Sequence, residues 1–295
     1  MEKLKVLDLF SGIGGFSLGL ERTGGFETVA FCEIEPFPRK VLAKHWPEVH
    51  CYHDVTKLTG DILARDGIAV DVITGGFPCQ DLSTAGKQRG MGEGTRSGLW
   101  SEIVRLICEL RPRYVIVENV AALLSGPSDQ RGGWFGRVLG DLAECGYDAE
   151  WENIPAAALG APHRRERVWI VAYPAQVQRN GGKLHAGKRM GQQQGRVGGK
   201  FGNSRFQADV ADANQAGLQG RAQAGNVGGI RSGGNQLFER CADFPRAAWS
   251  AEPNVGRVAN GVPDRSHRLA ALGNAVVPQI PELIGRAILA AEAKP

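Results

Sequence analysis

A cysteine in this sequence stands where it could carry out covalent chemistry. Cys79 lies in GGFPCQDLS (residues 75–83), directly after the apolar run VDVIT. A thiol is only slightly ionised at neutral pH, so a nucleophilic cysteine needs a helix N-terminus or nearby cations. An isolated cysteine can also be a small buried apolar residue. The surrounding glycines and proline place Cys79 on a turn at the carboxyl end of a strand, where open α/β sheets bind ligands, and this favours a nucleophile.

A glutamate and two arginines could assist such a nucleophile. Glu118 ends the apolar run YVIV, and burial there would raise the pKa of its carboxyl group, which suits a proton donor. A helix-capping or arginine-paired glutamate is the alternative. Arg165 and Arg167 in HRRERVWIV are expected on one face of a strand, pointing into one cleft. Such cations are too costly to bury without anions, and a surface cluster is the other interpretation.

A glycine-rich turn and two acids indicate a nucleotide-like ligand. DLFSGIGGF (residues 8–16) follows the first apolar run, and its GxGG spacing departs from the dinucleotide pattern GxGxxG. Glu33 could accept both hydroxyls of a ribose, and Asp54 could accept an adenine amino group. Taken alone, each acid could equally be a solvated loop residue or a helix-capping residue. Their order and strand-end positions favour a nucleoside cofactor.

The elements that must position these residues alternate along the chain. Apolar runs predict strands at residues 4–9, 28–32, 70–74, 114–117 and 168–172. Between them, helical faces are predicted through Leu99, Ile103, Leu106 and Leu110, and through Trp134, Val138, Leu142 and Cys145. A further apolar helix is predicted at residues 280–291. The pattern indicates an α/β fold with a doubly wound, mostly parallel, Rossmann-like sheet and a small inserted region.

Composition excludes several classes of protein. The 295 residues include 42% hydrophobic residues, and no run approaches the ~18 apolar residues of a membrane span. The first residues read as charges followed by a strand rather than a signal peptide. Six cysteines without a CxxC pair do not form a disulfide scaffold, so a reduced cytoplasmic protein is expected. Cysteines other than Cys79 are interpreted as structural; they are Cys32, Cys51, Cys108, Cys145 and Cys241.

The charge is unevenly distributed. Residues 175–238 carry nine Lys and Arg against two Asp, whereas the whole chain has a net charge of only +4. The stretch from Gly181 to Gly234 contains 15 glycines in 54 residues. Composition alone fits either a solvated linker or a nucleic-acid-binding arm.

Taken together, the ordered motifs resemble the cytosine-5 DNA methyltransferase family of bacteria and phages. The motifs are DLFSGIGGF, CEIE, HDVT, GGFPCQDLS, RSGLW, ENV, HRRERVWIVA and LGNAVVP, and they span about 70% of the chain. The resemblance implies methyl transfer from S-adenosylmethionine to C5 of a cytosine that has flipped out of a specific duplex DNA site.

The resemblance also implies a role for each catalytic residue. Cys79 would attack C6 of the cytosine, and Glu118 would engage N3 and the exocyclic amine. Arg165 would hold the base near O2, and Arg167 would support that geometry. The implied S-adenosylmethionine pocket comprises Phe10, Gly12, Ile13, Gly14, Gly15, Glu33, Ile34, Asp54, Val55, Leu99, Asn274 and Val276.

Three regions follow from the same comparison. Residues 1–173 would form the catalytic core, residues 174–254 the basic target-recognition region, and residues 255–295 a segment that returns to the core. We expect a cytoplasmic, nucleoid-associated monomer that binds double-stranded DNA, with no metal and no membrane contact. A cognate restriction endonuclease is an optional partner.

Two features depart from the family pattern, and three alternatives remain. His163 stands where glutamine usually precedes the arginines. The recognition region lacks the usual signature, and residues 175–238 contain only three aromatics, Phe201, Phe206 and Phe238. The alternatives are a tRNA cytosine-5 methyltransferase, a catalytically silent DNA-binding relative and a nicotinamide-dependent dehydrogenase. GFPCQDLS and the basic region favour DNA over tRNA, and the GxGG spacing disfavours the dehydrogenase.

Overall fold

Seven strands form one mixed sheet. A computed structural model of the chain describes residues 2–77, 99–124, 133–175 and 265–293. Within these ranges the strands are β1 (Leu4–Leu9), β2 (Phe26–Cys32), β3 (His50–Tyr52), β4 (Val72–Gly75), β5 (Tyr114–Val120), β6 (Tyr147–Pro155) and β7 (Glu166–Pro174). Their spatial order is β3-β2-β1-β4-β5-β7-β6. The strands from β3 to β5 pair in parallel, and β7 is antiparallel to both of its neighbours.

Helices cover both faces of the sheet. They are α1 (Gly15–Glu21), α2 (Pro36–His45), α3 (Gly60–Arg65), α4 (Trp100–Leu110), α5 (Gly133–Glu144), α6 (Arg265–Asn274) and α7 (Gln279–Glu292). One core contains Ile103 and Leu106 of α4 with Val138 and Leu142 of α5. The other contains apolar side chains of α1 and α7, among them Phe16, Leu20, Ile284 and Ile288. The predicted doubly wound, mostly parallel α/β sheet is therefore confirmed.

All five predicted strands are present. β1 has the predicted bounds, the other four have shifted ends, and two further strands were not predicted. The short β3 has only three residues, and β6 (YDAEWENIP) is a mostly polar edge strand. Neither offers the apolar run that reveals a strand buried on both faces. The predicted C-terminal helix and both predicted helical faces are confirmed. Residues 176–264 lie outside the described ranges, so the predicted boundaries at 174 and 254 remain predictions.

Helices α1 and α7 touch through a glycine. A Cβ atom added at Gly19 would lie 2.2 Å from the Pro278 carbonyl oxygen and 2.7 Å from Cγ of Pro281. Similarly, a Cβ atom added at Gly15 would lie 2.6 Å from the carbonyl oxygen of Val276. The C-terminal segment therefore lies directly against the helix that follows the glycine-rich turn.

One acid is completely buried near the end of the central strand β1. Asp8 accepts hydrogen bonds from the Ser17 hydroxyl at 2.9 Å and from the Thr74 hydroxyl at 2.7 Å. These bonds join β1 to α1 and to β4. Burial raises the pKa of Asp8 to about 7, and the charge of Glu33 acts in the same direction.

Substituting alanine at Gly19 should destabilise the fold, because the added methyl group would overlap backbone atoms of α7. We expect Gly19→Ala to lower the free energy of unfolding by about 2–3 kcal/mol. Gly140, an exposed glycine inside α5 with open space around its Cβ position, provides the matched control. Gly140→Ala should raise stability by about 0.5–1 kcal/mol. Urea unfolding of both variants measures the difference, and equal effects would contradict the close α1–α7 contact.

The Asp8 carboxyl should make stability depend on pH. The unfolded chain loses this proton at about pH 4, whereas the folded chain holds it up to about pH 7. The stabilisation from protonated Asp8 is therefore full below about pH 4 and is lost as the pH rises through 7. Because Asp8→Asn has no charge to bury, its stability relative to wild type should improve by about 2 kcal/mol between about pH 5 and about pH 8. A difference that stays constant across this range would exclude a raised pKa at Asp8.

Candidate active site

Several of the predicted site residues lie where four parallel strands end. The register places Leu9 beside both Cys32 and Gly75, and Gly75 beside Val117. The segments that follow β1, β2 and β4 therefore leave the sheet at one edge, beside Glu118 near the end of β5. This is the edge at which open α/β sheets bind ligands.

The turn after β1 wraps around the carboxylate of Glu33. Phe10, Gly12 and Gly14 have positive φ angles of 52°, 53° and 83°. This left-handed backbone directs the Gly12 amide toward Glu33, where it donates a 2.7 Å hydrogen bond to Oε2. The Glu35 amide donates a bond of the same length to Oε1. Glu33 is thus fixed at 7% exposure, with open space over the Cβ position of Gly12.

The remaining predicted pocket residues differ in their settings. Ile34 is 54% exposed beside Glu33, whereas Val55 is buried in the core. Asp54 accepts two hydrogen bonds from Thr56, and these bonds lower the pKa of its carboxyl group. Leu99 packs partly buried against the core.

The C-terminal segment closes the other side of the glycine-rich turn. Val276 packs against Gly15, and Asn274 at the end of α6 is exposed. A cavity of about 470 Å³ lies between this segment and the residues that precede β7. Its lining includes His163, Arg165 and Val276. The structure thus brings together the turn, Glu33 and Val276.

Glu118 is a buried acid that interacts with two arginines of the site. Oε1 of Glu118 lies 3.0 Å from Nε of Arg167, because antiparallel pairing of β5 and β7 sets the two side chains nearby. Glu118 is only 9% exposed. Burial raises the pKa of its carboxyl group, and the positive charges of Arg167 and Arg165 oppose that rise.

Arg165 is placed differently from Arg167. It precedes β7, which begins at Glu166, and has a positive φ of 29°. The prediction that both arginines share a strand face is therefore wrong, because only Arg167 belongs to the strand. The Arg165 guanidinium donates to the carbonyl oxygens of Gly273 at 2.6 Å and Ala275 at 2.7 Å. Arg165 thus holds the backbone on both sides of Asn274.

The chain leading to Cys79 passes beside Glu118. A Cβ atom added at Gly76 would lie 3.3 Å from Oε2 of Glu118, and the Asn119 side chain donates to the Phe77 carbonyl oxygen at 3.3 Å. Cys79 itself lies in residues 78–98, outside the described ranges. The last described residues before it are thus anchored to the strand that carries Glu118.

The sequence did not single out two contributors to this edge. Asp8 binds the turn and β4 together, and its signal is an acid inside the otherwise apolar run of β1. Asn119 follows Glu118 and holds the backbone at Phe77, a contact that sequence periodicity does not reveal.

Two kinds of feature are absent from the described ranges. Of these residues, no helix is both long and apolar enough to cross a membrane. Within the same part of the chain, no group of three or more histidine, cysteine, aspartate or glutamate side chains could hold a metal ion.

Comparisons with known proteins agree with these motifs. Residues 4–215 match the family model of C-5 cytosine-specific DNA methylases. The Type II methyltransferase M.Sau3AI of Staphylococcus aureus is 40% identical over 184 residues, which are 59% of this chain and 44% of that protein. The Type II methyltransferase M2.BsuMI of Bacillus subtilis (strain 168) is 37% identical over 173 residues, covering 57% of this chain and 42% of that protein. The chain thus spans less than half the length of these two curated relatives.

A solved structure adds one further likeness. A chain described as an E. coli prophage DNA modification methyltransferase is 29% identical, with a TM-score of 0.48 over 58% of this chain and 47% of that chain. The family model covers well over half of the present sequence. The chain belongs to the C-5 cytosine-specific DNA methylase family.

Proposed function

We propose that this protein is a DNA (cytosine-5-)-methyltransferase that acts on a specific duplex site. The observation that carries the proposal is the 3.0 Å contact between buried Glu118 and partly buried Arg167, at the edge where the chain leads to Cys79. A carboxyl group of raised pKa beside a nucleophile suits the protonation of a ring nitrogen. Membership of the family supports the same activity.

The residues of the glycine-rich turn fit S-adenosylmethionine as the cofactor. The Glu33 carboxylate is fixed by two amides and retains lone pairs for two ribose hydroxyls, and the space over Gly12 is open. Bound S-adenosylmethionine would supply an electrophilic methyl group. The residues that would hold it are Phe10, Gly12, Ile13, Gly14, Gly15, Glu33, Ile34, Asp54, Val55, Leu99, Asn274 and Val276.

The chain's own groups then account for activation of the base. The Cys79 thiolate adds to C6 of the cytosine, and the electron pair displaced by this addition moves toward C5 and N3. Protonated Glu118 donates to N3 and offsets the negative charge, which makes C5 nucleophilic. After C5 is methylated, water accepts the C5 proton, and the electrons of that C–H bond re-form the C5–C6 double bond as Cys79 leaves as a thiolate. N3 then returns its proton to Glu118. A stacked base cannot reach these groups, so the cytosine must flip out of the duplex at a cost of a few kcal/mol.

The two arginines would have different roles in the proposed reaction. Arg167 contacts Glu118 and would orient its carboxyl group toward the base. Arg165 would keep Asn274 and Val276 against the cofactor through its bonds to Gly273 and Ala275. Arg165 is also close enough for its charge to act on Glu118, so it could approach O2 of the cytosine from the same cleft.

The basic region would recognise the DNA. Residues 175–238 carry nine Lys and Arg, and they precede the returning segment in the chain. Phosphate contacts from such a region would supply affinity, and base contacts would supply specificity. We further propose the division into residues 1–173, 174–254 and 255–295, a monomeric state, and action on nucleoid DNA with or without a partner endonuclease.

A direct assay tests the proposed activity. Purified protein is incubated with labelled S-adenosylmethionine and either duplex DNA of mixed sequence or tRNA. We expect label in DNA as 5-methylcytosine. Label confined to tRNA would favour an RNA methyltransferase, and cofactor binding without transfer to either substrate would favour a silent DNA-binding relative.

Loss of the Cys79 thiol should abolish the reaction, because no other group would form the bond to C6. Cys79→Ala should lower methyl transfer by at least ~10³-fold and abolish the covalent complex with DNA that contains 5-fluorocytosine. Cys51→Ala, on the short edge strand β3, is the matched control and should retain both. Retained transfer in Cys79→Ala would overturn the mechanism.

The two arginines should differ in which step they affect. Arg165→Ala removes two charge-assisted bonds to the C-terminal segment, so the Kd for S-adenosylmethionine should rise about tenfold or more. Arg167→Ala leaves Glu118 buried without its 3.0 Å partner, so the single-turnover rate should fall with little change in that Kd. Calorimetric binding and rapid-quench kinetics separate the two effects. The reverse pattern would mean that Arg167, not Arg165, holds the cofactor segment.

A further inference from the structure

Two cysteines that take no part in the proposed mechanism lie side by side. The Sγ atoms of Cys108 and Cys145 are 2.7 Å apart. Cys108 lies in the last turns of α4 and is exposed, whereas Cys145 follows α5 directly and is buried. Sequence patterns do not reveal this proximity, because 37 positions separate the two residues.

Surrounding contacts keep the two sulfur atoms close together. Sγ of Cys145 also lies 4.0 Å from the Val104 carbonyl oxygen, one helical turn before Cys108. The Arg111 guanidinium, just beyond the end of α4, donates to the Cys145 carbonyl oxygen. Neither helix can carry its cysteine away without breaking these contacts.

A hydrogen bond near the start of α4 also joins α4 to α5. The indole nitrogen of Trp100 in α4 donates to Oδ2 of Asp141 in α5 at 2.7 Å. Val138 and Leu142 of α5 pack in the core beside Ile103 and Leu106 of α4. A disulfide brings its sulfurs to about 2.05 Å, so closing one here needs a displacement of less than about 1 Å.

We propose that Cys108 and Cys145 form an oxidation site that closes to an intramolecular disulfide in the presence of a hydroperoxide. The sulfur of Cys108 attacks the peroxide, forming an S–O bond as the O–O bond breaks. The sulfur of Cys145 then attacks the resulting sulfenic acid, forming the S–S bond and releasing the oxygen as water. For hydrogen peroxide, the two thiols together lose two protons and two electrons, and two waters are formed.

The unequal settings of the two thiols assign the order of these steps. Cys108 is open to solvent, so peroxide reaches it first. Burial and the hydrogen bond with Cys108 raise the pKa of Cys145 to about 12, and the charge of Arg111 opposes that rise. Cys145 therefore stays protonated and shielded until the neighbouring sulfenic acid forms, and then acts as the resolving thiol.

The experiment is peptide mapping of the intact chain after brief treatment with a small excess of hydrogen peroxide, alongside a sample kept in dithiothreitol. Free thiols are blocked before digestion with trypsin, which spares the Arg111–Pro112 bond. Cys108 then lies in peptide 106–113 and Cys145 in peptide 138–164, each with a single cysteine. We expect the two peptides to appear as one linked species, two hydrogens lighter than their sum, that dithiothreitol separates.

Two variants distinguish a specific disulfide from non-specific oxidation of cysteines. Cys51→Ser should leave the linked species unchanged, because Cys51 lies on the edge strand β3 and belongs to neither helix. Cys108→Ser should abolish it and leave Cys145 unoxidised. The proposal is overturned if both peptides stay separate after treatment, if either cysteine links to another instead, or if Cys145 oxidises equally in Cys108→Ser. None of these results depends on methyl transfer.

Discussion

Three buried carboxyl groups at one edge of the sheet organise this protein. A carboxylate removed from water is costly unless hydrogen bonds or cations satisfy it, so each acid fixes the structure around it. Asp8 takes hydroxyl bonds from Ser17 and Thr74 and thereby joins β1, α1 and β4. Glu33 takes two amide bonds and thereby shapes the glycine-rich turn. Glu118 takes the guanidinium of Arg167 and thereby couples β5 to the antiparallel β7. Removing any one partner would leave a buried carboxyl group without its hydrogen bond or countercharge beside the proposed site.

The C-terminal segment completes this arrangement from a distant part of the sequence. Helix α7 packs on α1 closely enough to exclude a methyl group at Gly19, and Val276 lies against Gly15. Arg165 then binds the backbone on either side of Asn274. One short stretch of chain, from Arg165 to Arg167, therefore contacts both the segment proposed to hold the cofactor and the acid proposed to activate the base. The two halves of the proposed reaction would share this support.

Much of this was predictable from residue patterns, because apolar runs on both faces of a strand identify a covered parallel sheet. Strands β1, β2, β4, β5 and β7 and the convergence of Glu33 and Glu118 followed from those runs. Strand β6 could not be found this way, since it is polar and lies at the sheet edge. The separate contacts of Arg165 and Arg167 depend on where β7 begins, which periodicity does not fix. The proximity of Cys108 and Cys145 depends on helix packing alone.

The proposed reaction is methylation of C5 of cytosine in DNA. Bisulfite sequencing of DNA from cells that express the full chain, compared with cells that carry an empty vector, tests it most directly. We expect cytosines at one short recurring sequence to resist conversion only when the chain is present. Complete conversion at every sequence, in cells that accumulate the folded protein, would contradict it.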